Sequence, residues 1–100
     1  MDGMDEMQEK ALEVSEFMKC FSSPHRLMIL CQLVEGEKSV SELIDATGMA
    51  QTSMSQHLGK LKLQGLVDFR REHRTLYYMI SDPNAFKIME SLYEIFCKKQ

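Results

Sequence analysis

The stretch from Ser39 to Gly65 constrains the fold of this chain more than any other, because it predicts two short helices joined by a tight turn. Ser39 and Glu42 have the spacing of a capping box, in which each residue supplies an acceptor for an otherwise unpaired amide at a helix start. Gly48 suits the position just after that helix, where glycine adopts a positive φ at little cost. A second helix is expected after this turn, and Gly65 ends it.

The second helix of this pair, residues 52–64, has one apolar and one polar face. Met54, Leu58 and Leu61 recur at the i, i+4 and i+7 spacing of a buried face. The other side carries small or neutral side chains and one cation: Thr52, Ser53, Gln56, Gly59 and Lys60. Short polar side chains suit the DNA major groove, where base edges offer donors and acceptors. The pattern favours a helix-turn-helix with a recognition helix at 52–64, although a helical hairpin with a solvated polar face has the same pattern.

Charge is unevenly distributed along the 100 residues of the chain. The net charge of −3 argues weakly against a nucleic-acid partner, and residues 1–48 hold 10 acidic against 4 basic side chains. Residues 49–80, which include the predicted recognition helix, hold 5 basic against 2 acidic side chains. A positive contact segment matters more for phosphate binding than the net charge does, because salt screens distant charges.

After the predicted recognition helix, the apolar period changes from helical to alternating. Residues 66–71 and 75–80 are predicted to form the strands of a hairpin, with residues 72–74 as a short polar loop. A hairpin beside a helix-turn-helix is a wing, here residues 66–80, and such wings can bind phosphates or enter the minor groove. The candidate contacts in the wing are Arg70, Arg71 and Arg74. The alternative is a solvated, charged hairpin tip.

Apolar side chains at helical spacing predict three further helices. In residues 5–21 the seam is Met7, Ala11, Val14, Met18 and Phe21. In residues 24–34, which begin with Pro24, the buried stripe is Leu27, Leu30, Cys31 and Val34. In residues 83–98 the apolar face is Ala85, Met89, Leu92 and Phe96. The seams of the first and last helices suit packing on the rest of the domain and on a second subunit.

Length and composition limit the class of protein. One hundred residues predict a single domain, residues 1–100, whose modest core would gain stability from dimerisation. No apolar run approaches membrane-spanning length, and the acidic N-terminus is unlike a signal peptide. We therefore expect a cytoplasmic protein with no membrane partner, whose three cysteines begin reduced. The cysteines and histidines show no metal-ligand spacing, so neither a metal nor a cofactor is expected.

The predicted order is helix, helix, helix-turn-helix, wing, helix. With the segments SSPHRLMIL, SVSELIDATGMAQTSMSQHLGKLKLQGLV and FRREHRTLYY, that order resembles the ArsR family of dimeric winged-helix repressors over roughly residues 10–97. Its most specific stretch is residues 53–61, which follow S-x-S-x-H-L-x-x-L. The resemblance implies a mainly α-helical winged helix-turn-helix that forms a homodimer through its first and last helices. It also implies binding to double-stranded operator DNA with an inverted repeat, and repression that a small inducer releases.

The same resemblance guides the assignment of DNA contacts. The residues expected to read bases are Thr52, Ser53 and Gln56. The residues expected nearer to phosphates are Gln51, Ser55 and Lys60, together with the wing arginines. His57 lies at the edge of the buried face, so we expect a structural role or a phosphate contact rather than a metal ligand.

The inducer is constrained by which thiols and histidines are present. The family's metal sensors carry a Cys-x-Cys-type site on the helix before the recognition helix, where residues 39–42 of this chain contain no cysteine. Other members bind zinc across their last helices with Asp and His ligands, and residues 83–98 contain no histidine. Cys31 and Cys97 instead look like the thiol pair of the branch that senses sulfide and persulfides. That resemblance implies oxidation by reactive sulfur species to a disulfide or polysulfide bridge, which lowers operator affinity.

Several alternatives are compatible with the sequence. Without the resemblance, Cys31 is best interpreted as a small core hydrophobe, and neither thiol of the pair has an activating environment in the sequence. Cys20 is interpreted as a packing substitute, or as a third thiol that competes. A metal ion or a general oxidant could act as the inducer. Two further classes are a thiol enzyme, for which the sequence has no C-x-x-C motif, and a winged helix that contacts only proteins.

Overall fold

Five helices and three short strands make up the fold. The computed structural model describes residues 3–97, the side chain of Met4 excepted. The helices are α1 (Gly3–Met18), α2 (Pro24–Val34), α3 (Val40–Thr47), α4 (Gln51–Leu63) and α5 (Pro83–Leu92). The strands are β1 (Lys38–Ser39), β2 (Val67–Glu72) and β3 (Thr75–Ile80). A 3₁₀ turn, Lys19–Phe21, extends α1, and a π-helical segment, Tyr93–Cys97, extends α5.

Local capping signals define the helix-turn-helix formed by α3 and α4. The amide of Glu42 donates to Ser39 Oγ at 3.0 Å, and the amide of Ser39 donates to Glu42 Oε1 at 2.8 Å. The capping box predicted from the sequence is therefore confirmed. Gly48 follows α3 with a φ of 74°, a left-handed conformation that glycine adopts without strain. Helix α4 begins at Gln51, one residue earlier than predicted.

The wing is a tight antiparallel hairpin that is part of a small sheet. Strands β2 and β3 pair with Val67 opposite Ile80, and β1 adds to the other edge of β3, so the strand order is β1-β3-β2. The predicted loop of residues 72–74 is one residue too long, because Glu72 still pairs with Thr75. The remaining two-residue turn requires a positive φ, which His73 adopts at 58°.

The core lies where α2 meets the helix-turn-helix, the sheet and α5. The predicted inner face of α4 is confirmed, since its buried residues are Met54, Leu58 and Leu61. The prediction for α2 is wrong in part: of its expected stripe only Leu30 is buried, whereas Leu27, Cys31 and Val34 are half-buried. The other buried residues of α2 are Ile29 and Leu33. Helix α2 packs on α3, α4, α5 and β3. It is therefore covered on several sides, and its buried residues do not follow the single stripe that the sequence predicted.

The helices at the two ends of the chain leave apolar surface uncovered. Every described side chain of α1 before Phe17 is exposed, including those of Met7, Leu12 and Val14. The helix predicted at residues 5–21 ends at Met18, and only the chain from Phe17 onward packs on the core. The helix predicted at 83–98 is α-helical only to Leu92, and residue 98 lies outside the described residues. Among residues 3–97 the structure has no helix long and apolar enough to cross a membrane.

Candidate DNA-binding surface and thiol pair

Helix α4 exposes five of its seven residues that were predicted to contact DNA. The exposed ones are Gln51, Thr52, Ser55, Gln56 and Lys60. Ser53 is half-buried. The five exposed side chains are polar, and one of them, Lys60, is a cation, so they can reach base edges and phosphates if the helix enters a major groove.

Leu63 adds to these exposed side chains of α4 and was missed by the sequence reasoning. It is 88% exposed at the end of α4, seven residues after Gln56 and therefore on the same side of the helix. An apolar side chain on a recognition helix can contact a thymine methyl group. The signal in the sequence was a leucine outside the spacing of Met54, Leu58 and Leu61.

A notch on the wing side of α4 brings together three of the predicted phosphate contacts. Its volume is about 350 Å³. The predicted residues that line it are Gln51, Ser55 and Arg74. Ser41, at the start of α3, and Thr75, at the start of β3, also line the notch and were not predicted. Hydroxyl, amide and guanidinium groups around one concavity can bind a DNA phosphate.

The three wing arginines differ in their contacts with other side chains. Arg70 forms ion pairs with Glu37 and Glu72 and lies over the ring of Tyr77 at 4.6 Å. The hydrogen bonds that Arg70 donates to Glu37, and then the one that it donates to Glu72, raise the pKa of Arg70 above its ordinary value. Arg71 and Arg74 are exposed, and neither forms an ion pair with a described residue. Arg70 therefore links the wing to the loop before β1, whereas Arg71 and Arg74 present charge that no described residue pairs with.

His57 faces α2 rather than the outward side of α4. Its ring stacks on His25, with centroids 5.2 Å apart and planes 17° apart. Burial lowers the pKa of His57, and the positive charges of His25, Arg26 and Lys60 lower it further. Its Nδ1 atom is buried without a hydrogen-bond partner among the described residues. A DNA contact by His57 remains a prediction.

Cys31 and Cys97 meet between α2 and the end of the α5 segment. Their sulfur atoms are 3.5 Å apart, although 66 positions separate them in the chain. Both thiols are free, Cys31 half-buried and Cys97 exposed. An apolar cavity of about 260 Å³ adjoins the pair, and its other lining residues are Leu27, Met89, Leu92, Tyr93 and Phe96. Two thiols in contact beside an apolar cavity can be joined covalently by an oxidant that enters it.

A π-helical segment turns Cys97 toward α2. In an α-helix running from Ala85, residues 89, 92 and 96 would share one face, as the sequence predicted. The π-helical segment Tyr93–Cys97 contains one more residue per hydrogen-bonded turn, so Cys97 takes the angular position predicted for Phe96. Phe96 is accordingly 77% exposed, and its predicted place on the inner face is wrong. Single π turns occur often at functional sites, and here the turn forms the thiol contact.

The electrostatic environment makes the two thiols unequal. Burial raises the pKa of Cys31 to about 11, with further contributions from its hydrogen bond with Cys97 and from the charges of Cys97 and Glu35. Cys31 is therefore a protonated thiol at neutral pH. Because thiolates are the attacking species, and Cys97 is the more exposed of the two, we expect a reagent to attack Cys97 first.

The third thiol is enclosed and hydrogen-bonded. Cys20 is 4% exposed, and its sulfur donates to Gln64 Oε1 at 3.1 Å. This contact joins the 3₁₀ turn after α1 to the end of α4, an arrangement that fits a packing role. Among the described residues there is no group of three or more His, Cys, Asp or Glu side chains that could hold a metal ion.

A winged helix-turn-helix with a polar, outward-facing α4 and a cationic wing tip defines a DNA-binding class of protein. Residues 23–68 match the family described as "Bacterial regulatory protein, arsR family". The chain is 40% identical to the Biofilm growth-associated repressor of Xylella fastidiosa over 96% of this chain and 84% of that protein. This chain therefore belongs to the arsR family of bacterial transcription regulators, which are not enzymes.

Two solved structures confirm the winged helix-turn-helix fold predicted from the sequence. Reduced HlyU from Vibrio cholerae superposes with a TM-score of 0.88 at 33% identity, over 93% of this chain and 98% of that one. HlyU of Vibrio cholerae is named a transcriptional activator. A homodimeric winged helix-turn-helix DNA-binding domain from Mycobacterium bovis superposes with a TM-score of 0.76 at 32% identity, over 95% and 89% of the two chains.

Proposed function

We propose that this protein is a dimeric, cytoplasmic DNA-binding repressor that senses persulfides and related reactive sulfur species through Cys31 and Cys97. The reduced dimer binds an operator with an inverted repeat, and oxidation of the two thiols to a disulfide or polysulfide bridge releases the DNA. The observation that carries this proposal is the 3.5 Å separation of two sulfur atoms that are remote in sequence.

The direction of regulation is supported by the relatives and by the fold. The Xylella relative, at 40% identity, is named a repressor, whereas the Vibrio relative, at 33% identity, is named an activator. A winged helix-turn-helix, the fold of the described residues, can repress simply by occupying an operator. A reporter placed behind the promoter of this gene tests the direction, since repression predicts higher expression when the gene is deleted.

Dimerisation is supported by the uncovered apolar side chains of the end helices. On α1 the exposed apolar residues are Met7, Leu12, Val14 and Met18. On the π-helical segment they are Ile95 and Phe96. Apolar exposure of this extent in a small chain marks an interaction surface, and a second copy covers it in this proposal. The Mycobacterium relative is a homodimer, and two copies would present two recognition helices to the half-sites of an inverted repeat.

Bridge formation from a persulfide balances without any other oxidant. The Cys97 thiolate attacks the outer sulfur of an organic persulfide, the S–S bond of the persulfide breaks, and the organic thiol leaves. A second persulfide molecule lengthens the chain on Cys97 by one more sulfur in the same way. Cys31 then loses its proton and attacks the sulfur next to Cys97 Sγ, and hydrogen sulfide leaves. Two protein thiols and two persulfides thus yield a bridge with one inserted sulfur, two organic thiols and one hydrogen sulfide.

The sulfur separation favours one inserted sulfur over a direct bond. A direct S–S bond of about 2.05 Å would require the two sulfur atoms, now 3.5 Å apart, to approach by about 1.5 Å. Two such bonds that meet at a shared sulfur near the tetrahedral angle span about 3.3 Å. The apolar cavity beside the thiols offers room for the additional atom.

The bridge would couple the thiols to DNA binding through α2. Cys31 lies one turn before the end of α2, which is followed directly by β1 and α3 of the helix-turn-helix. Cys97 belongs to the helical segment at the proposed dimer interface. A covalent link between these elements would shift the helix-turn-helix relative to the interface, so that the two recognition helices no longer match the half-site spacing.

Mass spectrometry combined with DNA binding tests the proposal. Reduced protein is treated anaerobically with an organic persulfide and, separately, with a peroxide or a disulfide. Operator affinity is then measured by fluorescence anisotropy on a duplex from the promoter of the gene. We expect a crosslink between Cys31 and Cys97 that carries extra sulfur and forms only with the persulfide, together with a loss of operator affinity.

Serine variants supply matched controls. Cys31→Ser and Cys97→Ser should bind the operator as the reduced wild type does and lose the response to persulfide. Cys20→Ser should keep both properties, because Cys20 is buried and serine retains a donor for Gln64. Sulfur added only at Cys20, or operator affinity unchanged by a bridged pair, would contradict persulfide sensing. An equal response to peroxide would replace it with sensing of general oxidants.

A further inference from the structure

A group of basic side chains lies on the flank of α4 that faces away from the wing. His57 of α4 stacks on His25 of α2. The charges of Arg26 and Lys60 act on the same ring. We name His25, Arg26, His57 and Lys60 the basic flank. None of the four forms an ion pair with a residue between 3 and 97, so the charges of Arg26 and Lys60 are uncompensated within the described chain.

The interior of the basic flank contains polar atoms without partners. Arg26 Nε and His57 Nδ1 are both buried, and neither has a hydrogen-bond partner among the described residues. Buried polar atoms are nearly always paired, so these two nitrogens, which lie in a positive environment, are open to a hydrogen-bonding ligand. Further along the same flank, Cys20 and Gln64 are hydrogen-bonded to each other and carry no charge that would offset the cations.

The two flanks of α4 are therefore alike in charge and opposite in position. Gln51 and Ser55 face the notch that Arg74 of the wing completes. His57 and Lys60 lie across the helix from that notch, next to the start of α2. A helix in the major groove lies between two sugar-phosphate strands, so a recognition helix with cations on only one flank would leave one strand without contacts.

We propose that the basic flank binds a backbone phosphate of the operator on the strand opposite the wing, and that the stacked His25–His57 pair takes up a proton when the phosphate binds. This inference rests on the proposed DNA-binding function, but not on the thiol switch. The ligand is a DNA phosphate, held by the stacked His25–His57 pair with Arg26 and Lys60 beside it.

The uptake of a proton on phosphate binding has a physical reason. In the unbound protein, burial and the neighbouring cations oppose a charge on His57. The groups that face His57 are His25 and Arg26 from α2 and Lys60 from α4 itself, all of them basic. A phosphate reverses this balance, because its negative charge stabilises an imidazolium at the stacked pair. Operator binding should therefore tighten as the pH falls through the ordinary range of histidine.

The salt dependence of DNA binding at two pH values tests this inference. Affinity is measured by fluorescence anisotropy on the promoter duplex, with thiol-reduced protein, at about pH 6 and about pH 8. Each phosphate contact adds about 0.9 to the slope of log affinity against log salt concentration. We expect the wild-type slope to be steeper at the lower pH by up to about 0.9 for each proton taken up. Calorimetry in two buffers of different ionisation enthalpy should detect the same proton.

Three variants separate this site from the rest of the surface. His25→Asn changes an exposed side chain, so the protein should fold, and it should lose most of the pH-dependent increment in slope. His73→Asn removes the histidine of the wing turn and should keep the increment, since asparagine tolerates its φ of 58°. Arg74→Ala should lower the slope by about 0.9 at both pH values.

The outcomes distinguish this inference from the proposed function. A full increment in His25→Asn, or its loss in His73→Asn, would overturn the phosphate site at the basic flank while DNA binding stands. No binding of the reduced wild type to the promoter duplex or to random duplex at low salt would contradict the DNA-binding function itself. A failed response to persulfide affects neither measurement, because the thiols stay reduced throughout.

Discussion

Cys31 should react with an alkylating reagent far more slowly than an ordinary cysteine, and with a different pH dependence. Its pKa is raised from 9.0 to about 11, chiefly by burial and then by its hydrogen bond with Cys97. At neutral pH, a thiol with a pKa of about 11 holds about 100-fold less thiolate than one with a pKa of 9.0. The thiolate is the nucleophile, and its intrinsic reactivity rises with its pKa, so we expect alkylation of Cys31 to be about 10- to 100-fold slower in folded than in denatured protein.

Time-resolved mass spectrometry of peptides after brief exposure to iodoacetamide measures this difference. Only the first modification of each molecule is counted, so that a modified Cys97 does not alter its neighbour. We expect Cys97 to be modified first, and buried Cys20 to remain protected. The rate at Cys31 should rise about tenfold for each pH unit toward 11, whereas the denatured reference levels off near 9.

The position of the plateau separates electrostatics from steric protection. Restricted access lowers the rate at every pH but leaves its midpoint unchanged, whereas a raised pKa moves the midpoint upward. A rate at Cys31 that levels off near pH 9, or that equals the rate at Cys97, would refute the assignment of Cys97 as the first nucleophile.

Three further results are expected from single measurements. Leu58→Ala should lower the free energy of unfolding in urea by about 2–5 kcal/mol, since Leu58 is 1% exposed; a loss below about 1 kcal/mol would contradict its place in the core. Exchanging Phe96 and Cys97 should abolish the bridge that mass spectrometry detects after persulfide treatment, because the π turn would then point the thiol outward. A bridge formed at the wild-type rate would refute the inward position assigned to residue 97. Arg70→Ala should weaken operator binding less than Arg74→Ala, because Arg70 already binds two carboxylates; an equal loss would show that Arg70 turns to phosphate.

The helix-turn-helix was predictable from sequence because its signals are local. A capping box acts over three residues, and the left-handed glycine after α3 acts at one position. The inner face of α4 follows from one repeat within a single helix, and the wing from a change of that repeat to alternation. None of these signals depends on what packs against the element, so the structure agrees with the prediction. The outward face of α4 was found by the same reasoning, with the exception of Leu63.

Contacts between elements were less predictable from sequence. Arg70 was predicted as a phosphate contact, but its pairing with Glu37 joins the wing to the loop before β1, and no local pattern links those positions. The buried stripe predicted for α2 was wrong in part for a related reason. A pattern with one apolar stripe assumes that a helix is buried on one side, whereas the central helix α2 is buried on several sides. The stacking of His25 on His57 likewise depends on how α2 crosses α4.

By itself, the sequence determined the winged helix-turn-helix, its recognition helix, and the resemblance that singled out Cys31 and Cys97. Only the tertiary structure decided that their sulfur atoms lie in contact beside an apolar cavity. That contact depends on the packing of α2 against α5 and on the π turn Tyr93–Cys97, which shifts Cys97 by one position around the helix. The apolar pattern of residues 83–98 is equally compatible with a continuous α-helix, in which Phe96 instead of Cys97 would face α2. Hydrogen bonding within one turn, which side-chain periodicity does not encode, therefore decides which residue faces Cys31.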